Sequence, residues 1–339
     1  MTQPRSLRAV LGLAVVAAGI LLAMALVVGP GSVDTGIAAT VVWGHITGTA
    51  TGVSRPLDAL VWDLRLPRSL LAMMVGASLA TAGTVTQGMF RNPMAEPGVL
   101  GVSAAAAMMA VLGFLLGLDA LGSWTTPLMA AAGAAMGLLL LAGLSTRTLS
   151  MTTLLLSGVA LAALFSAVTT LMLSIGTERW DLGLKVIRWL MGSFEARSWS
   201  HLGWTVGPMC VGLAMAGWLV LDLDTLALGS ETALSLGIDL ARMRWVALVC
   251  VALLVGAATA MAGVIGFVGL VVPHVARLTV GAAHGRLMPT AAVLGALAVL
   301  AVDVATRSTT GLSIPPGVVT ALLGAPLLVW MLLAQERVT

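Results

Sequence analysis

The chain is 339 residues long, 59% hydrophobic and only 9% charged, with a mean hydropathy of +1.05. That is too little polar surface to cover a soluble globule, so the composition argues against a soluble enzyme or binding module and reads as an integral membrane protein. The net charge of +3 comes from few groups and gives no sign of a nucleic-acid partner. Abundant glycine and alanine suit closely packed transmembrane helices. Long apolar runs in place of two-residue alternation argue against a β-barrel. Cys210 and Cys250 fall in apolar runs and read as small buried hydrophobes rather than a disulfide.

In chain order, runs of about 20 apolar residues predict spans near 9–29, 67–89, 98–118, 124–144, 151–174, 200–220, 245–264, 287–306 and 316–334. The first follows Arg5 and Arg8 and resembles a signal peptide, but its length of about 20 residues and the lack of a clear A-x-A site ending it make it a retained span. The second runs into an Asn-Pro…Glu-Pro-Gly turn and straight into the third. Pro93 and Pro97 remove backbone donors and set φ there, so the loop is stiff; by itself that suits a functional turn or one that only joins helices. The segment 176–199 is amphipathic and too charged to span, which suits a short helix lying at a membrane face.

In 221–244, Ser230 can cap a short helix, Gly237 can end it and Asp239 can cap the next, which runs on toward Trp245. Such a helix–glycine–helix element is a platform for a soluble partner or a plain solvated loop. A shorter run, 264–280, is broken by Pro273 and carries His274 and Arg277; if it crosses, the spans number about ten and both termini share one side. Trp43, Trp62, Trp124, Trp199, Trp245 and Trp330 lie near predicted ends, as an interfacial belt places them.

With the amino terminus inside, nine basic residues (Arg5, Arg8, Arg91, Arg147, Arg242, Arg244, Arg277, Arg286, Arg337) face inward and eight (Arg55, Arg65, Arg68, Arg179, Lys185, Arg188, Arg197, Arg307) outward. The positive-inside rule therefore barely decides, and the outward cations suit an acidic docking partner.

No phosphate-binding Gly-x-x-x-x-Gly-Lys-Ser/Thr loop, no His-Glu-x-x-His and no metal-ligand spacing among His45, His201, His274 and His284 occurs. Asp303 and Arg307 can pair at i,i+4 near the outer end of a helix, as a pathway charge or as a local pair that eases insertion. The absence of a chain of buried carboxylates weighs against an ion-coupled secondary transporter, which stays open as an alternative of another class.

Five blocks in fixed order then carry a resemblance: RLPRSLLAMMVGASLATAGTVTQGMFRNPMAEPGVLGVS, RWLMGSFEARSW, GSETALSLGIDLARMRW, GVIGFVGLVVPHVARLTVG and IPPGVVTALLGAPLLVWMLL, spanning about 60–334. Together they resemble the permease subunits of ABC importers for iron chelates (ferric siderophores and haem) and vitamin B12.

The resemblance implies an all-α type II importer permease, residues 1–339 as a single ten-span domain, working as a homodimer in the bacterial inner membrane with both termini cytoplasmic. It implies two ABC ATPase subunits that bind the ATP and Mg, and a substrate-binding protein outside. No catalysis, cofactor or metal belongs to this chain. Arg65, Arg68 and Arg307 match docking positions for the binding protein. Asn92 and Met94, with Met151 and Thr152, match an inner gate. Gly229, Ser230, Glu231 and Gly237 match the coupling helices. Among cargoes the block RNPMAEPGVLGVSAAAA looks most like haem-type and siderophore-type members, so haem is the first expectation, with ferric siderophore or cobalamin as alternatives.

Overall fold

The computed structural model describes residues 7–145, 151–176, 180–308 and 314–336, all helix, turn and loop. Arg5, Arg147, Arg179 and Arg337 of the charge comparison lie outside these residues.

α1 (Leu7–Val27) is followed by α2 (Thr35–Thr47), an element with no predicted counterpart. Thirteen residues are too short for a span, so a search for long apolar runs passes over it. Its ends are nonetheless encoded: Asp34 Oδ1 accepts the Ile37 N–H at 2.8 Å, and Gly48 closes it at φ +71°. α3 (Arg55–Ala59) passes through a π-helical stretch, Leu60–Arg65, directly into α4 (Leu66–Phe90). The wider π register, with Leu66 N–H donating to the Val61 carbonyl, lets the helix absorb Pro67, which has no N–H of its own to give. The second span thus starts well before residue 67.

A 3₁₀ turn, Pro97–Leu100, leads to α5 (Val102–Leu115), and α6 (Thr125–Ser145) and α7 (Met151–Gly176) follow. α8 (Trp180–Leu190) is the expected amphipathic helix. It buries Val186 and Trp189 and exposes Leu184 and Ile187, and Lys185 pairs with Asp119 of the α5–α6 connection. α9 (Trp199–Trp218) bends by 45° into α10 (Val220–Ala227); α11 (Ser230–Ser235) and α12 (Leu240–Ala262) come next. The chain then breaks at Gly263 and resumes as α13 (Val268–Val280), α14 (His284–Ser308) and α15 (Pro316–Glu336).

Among the described residues six helices are long and apolar enough to cross a membrane, and a seventh does so if α9 and α10 form one bent span. The other three predicted spans are the shorter apolar stretches Val102–Leu115, Val268–Val280 and Pro316–Met331. At 14 residues α5 is about 21 Å long, short of a hydrocarbon core of about 30 Å.

α4 and α12 form the centre, with 78% and 72% of their apolar windows buried, against 17% for α1 and 22% for α7. Glycine makes this packing possible. A Cβ on Gly76 would overlap the Gly295 carbonyl of α14, one on Gly295 would overlap Gly76, and one on Gly83 would overlap the Gly269 carbonyl of α13. α1 and α7 instead present Leu13, Val15, Leu164 and Ile175 outward, the surface that lipid or a second apolar chain covers.

Two local readings need correction. Cys250 is buried and donates to the Gly212 carbonyl, but Cys210 is exposed, because its apolar run lies on an outward face of α9. Trp62 and Trp199 also belong less to a belt than to each other: their rings lie 5.1 Å apart and the Trp199 indole N–H donates to the Trp62 carbonyl.

Candidate functional site

The features of interest gather at the two ends of α4, whose 25 residues span about 38 Å.

At its first end α1 stops at Val27 with carbonyls that no helix continues to satisfy and no basic residue in its own last turn. Arg65 fills that gap. Its guanidinium donates to the carbonyls of Leu26, Val27, Pro30 and Gly31 at 2.6, 3.0, 2.9 and 3.1 Å, and the residue is only 5% exposed. Next to it Asp303, fully buried, accepts from Arg68 Nε and Nη2 at 3.0 and 2.8 Å and from Arg307, which also reaches the Ala25 carbonyl and Ser69 Oγ. One buried carboxylate thus sits among three guanidiniums, an arrangement that burial demands, since a lone charge there is far more costly than a paired one.

The three docking candidates therefore come together, but inside the chain rather than on an open face. Arg65 is engaged in closing α1, Arg307 keeps 6% of its side chain exposed, and Arg68 keeps 19%. The expected Asp303–Arg307 pair is present as part of this larger cluster. Arg197, in the loop before α9, has its pKa pulled down to about 10 by burial, which leaves it charged at neutral pH.

At the other end α4 closes on Arg91, a non-glycine residue at φ +50°, with the Arg91 N–H donating to the Gly88 carbonyl at 3.2 Å and the Asn92 N–H to the Gln87 carbonyl at 3.1 Å. Asn92 is exposed, and its Oδ1 accepts the Met94 N–H at 2.9 Å, so the Asn-Pro turn is fixed by its own side chain. Met94 is half-buried.

Glu96, which sequence reasoning did not single out, ties this turn to the α12–α13 break. Its Oε1 accepts the Phe267 N–H at 2.9 Å, where Phe267 starts α13 at φ +66°. Irregular backbone at membrane depth is tolerated where it lines a cavity. A cavity of about 400 Å³ does lie here, bounded by Glu96, Ser103, Ser166, Thr169 and Gly266. Met151 and Thr152 begin α7, the first half-buried and the second exposed. α7 meets the turn farther along, where a Cβ on Gly158 would lie 2.5 Å from the Val99 carbonyl.

The helix–glycine–helix element stands at this same end. Gly229, at φ +123°, and not Ser230, occupies the cap position, and Ser230 is the first helical residue. At that φ an L side chain is strained, so glycine takes the corner and serine moves inside. Glu231 is exposed in the first turn, while Ala233 is fully buried and anchors α11. Gly237 (φ +86°) ends the helix as expected, with its N–H on the Leu234 carbonyl and the Ile238 N–H on the Ala233 carbonyl, both 3.0 Å. Asp239 Oδ1 caps α12 by accepting the N–H groups of Ala241 and Arg242 at 3.0 Å. Leu221, Leu228, Leu234 and Leu236 stand 58–75% exposed along α10, α11 and their ends, apolar side chains of the kind a partner or lipid covers.

The geometry is one of a polar cluster at one end, a glutamate-tied turn and an exposed helix pair at the other, and closely packed glycine-rich helices between. The comparisons agree with it. Residues 12–334 match the model of the FecCD transport family. The chain is 45% identical over 285 residues to the vitamin B12 import system permease protein BtuC of Vibrio cholerae serotype O1, covering 82% of this chain and 83% of the relative. It is 41% identical over 281 residues to BtuC of Salmonella typhimurium strain LT2, covering 83% and 85%. A solved structure described as an inward-facing conformation of a metal-chelate type ABC transporter superposes with a TM-score of 0.84 at 30% identity, covering 95% of this chain and 97% of the other. The chain belongs to the FecCD transport family, as a multi-pass membrane permease subunit of a bacterial ABC importer that works with an ATPase and a binding protein and is not itself catalytic.

Proposed function

We propose that the cargo is cobalamin. The observation that carries this is the 45% identity to a vitamin B12 import permease over most of both chains. It displaces haem, the first expectation from the sequence blocks, to the position of an alternative beside ferric siderophores. The path needs weak contacts rather than a tight pocket.

In this reading the chain forms a homodimer in the inner membrane, its termini cytoplasmic, with cargo passing along the dimer axis and ATP and Mg held by the ATPase subunits. Gly229, Ser230, Glu231 and Gly237 present the coupling helices to the ATPase. Asn92 and Met94, with Met151 and Thr152, close the inner end. Arg68 is the docking cation with the most exposure, while Arg65 and Arg307 hold the docking face in shape. ATP-driven closure of the ATPase pair tilts the two copies and alternates access.

The test is uptake into liposomes holding the permease and its ATPase, with the binding protein loaded with cobalamin, haem or a ferric siderophore. Cobalamin alone should drive uptake and stimulate ATP hydrolysis; stimulation by haem or a siderophore and not by cobalamin would overturn the assignment.

A further inference from the structure

The ends of three helices meet behind the helix pair α10–α11, and one side-chain contact joins them. Asp224 of α10 takes two hydrogen bonds from His284, the first residue of α14: the backbone N–H at 2.8 Å and ring Nδ1 at 2.7 Å, to the same carboxylate oxygen. The ring is 6% exposed and the carboxylate 37%. Past Nδ1, the Nε2 edge of the ring comes up against the last turn of α4. A Cβ built on Gly88 would stand 2.7 Å from His284 Nε2 and 3.2 Å from Leu223 Cδ2 of α10, so only glycine admits both. His284 Nε2 is buried and has no hydrogen-bond partner among the described residues, so that edge of the ring rests on packing, with Gly88 against it.

Gly88 is also the residue whose carbonyl receives the Arg91 N–H in the closure of α4 that leads into Asn92. Buried Leu223 and Leu226 of α10, Ala233 of α11 and Met89 of α4 share one apolar core around this contact. On its other side α4 is held by Gln87, which donates to the Leu270 carbonyl and accepts from Arg277 of α13.

We propose that Asp224 and His284 are positioning residues that clasp α10, the start of α14 and the end of α4 into one body, so that displacement of α11 by the ATPase reaches the Asn92–Met94 turn through Gly88. This rests on the transport reading above, because it assigns a route between its coupling helices and its inner gate. Coupling of this kind needs an element whose two positions both sites bias; a charge-assisted pair seated on a glycine supplies a rigid one.

The test uses the assembled permease–ATPase–binding-protein complex in liposomes. Asp224→Asn removes the charge at a partly exposed position and keeps the shape, and Gly88→Ala displaces the ring. Each should lower labelled cobalamin carried per ATP hydrolysed by about tenfold, the worth of one charge-assisted hydrogen bond. Asp224→Glu, whose extra methylene has solvent to enter, should recover most of that. Hydrogen exchange needs no cargo: in the wild type, ATP and Mg should change protection in both 229–237 and 88–95, whereas in Asp224→Asn only the first should respond. A purely structural defect would change both segments alike.

Unaltered cargo per ATP in both variants, or an exchange response in Asp224→Asn that still reaches 88–95, would overturn the clasp while leaving transport standing. A wild-type complex that moves no chelate would remove the transport reading and the clasp together.

Discussion

Asp303 offers the sharpest test of how this chain tolerates charge inside its helices. The carboxylate is fully buried and is the counter-charge for Arg68 and Arg307, whose side chains are 19% and 6% exposed. Asp303→Ala leaves both guanidiniums in place without it. Breaking a buried pair by removing one partner costs ~3–5 kcal/mol, because the remaining charge is uncompensated. Arg307 carries most of this; Arg68 contributes less, since it can turn toward solvent. At ~2 °C per kcal/mol for a chain of this size, the melting temperature in detergent should fall by roughly 6–10 °C.

Removing the charges together should cost less than removing one. Asp303→Leu combined with Arg307→Leu leaves the partly exposed Arg68, the Ala25 carbonyl and the Ser69 hydroxyl to be satisfied in place of two unpaired guanidiniums, so the double variant should melt above Asp303→Ala. The readout is thermal unfolding followed by tryptophan fluorescence, with binding to the substrate-binding protein measured separately. An Asp303→Ala protein that melts within about 1 °C of wild type would refute the argument that the arginines are held by this carboxylate.

Three further outcomes follow from particular contacts. Gly83→Val should separate α4 from α13, since even a Cβ overlaps the Gly269 carbonyl; a loss of more than ~3 kcal/mol in unfolding titrations is expected, and a loss under ~1 would contradict the close approach. Glu96→Ala leaves the Phe267 N–H without its acceptor and should cost about 1–3 kcal/mol, while Glu96→Gln keeps an acceptor and should stay near wild type; equal melting of the two would speak against the contact. Glu231→Arg, on an exposed first turn, should leave folding unchanged and lower binding-protein-stimulated ATP hydrolysis of the complex. Full coupling in that variant would remove Glu231 from the interface.

The membrane class, most of the span positions and the punctuation of the helix–glycine–helix element are local properties, and a linear reading reaches them. Apolar run length is set by bilayer thickness, and a glycine such as Gly237 or a cap such as Asp239 acts on the four or five residues around it. The Asn-Pro turn was legible for the same reason: its stiffness comes from Pro93, Pro97 and an asparagine that bonds two residues on. α2 and the α3–α4 continuity were not, because α2 falls short of the span length, the charges at Arg55, Asp58, Asp63 and Arg65 interrupt the apolar run before residue 67, and the π register that accommodates Pro67 depends on neighbours.

What the tertiary structure alone decided is which polar groups meet. Arg65 reads as an outward cation, yet the Leu26 and Val27 carbonyls left open by α1, 39 and 38 residues earlier in the chain, draw it inside. Asp303 finds Arg68 across 235 residues, Glu96 reaches Phe267 across 171, and Asp224 reaches His284 across 60. In an apolar medium every such group must find a partner, and the partner is set by which helix ends are brought together. Helix packing through glycines at 76, 83 and 88 makes that choice, at contact distances that the order of residues along the chain does not express.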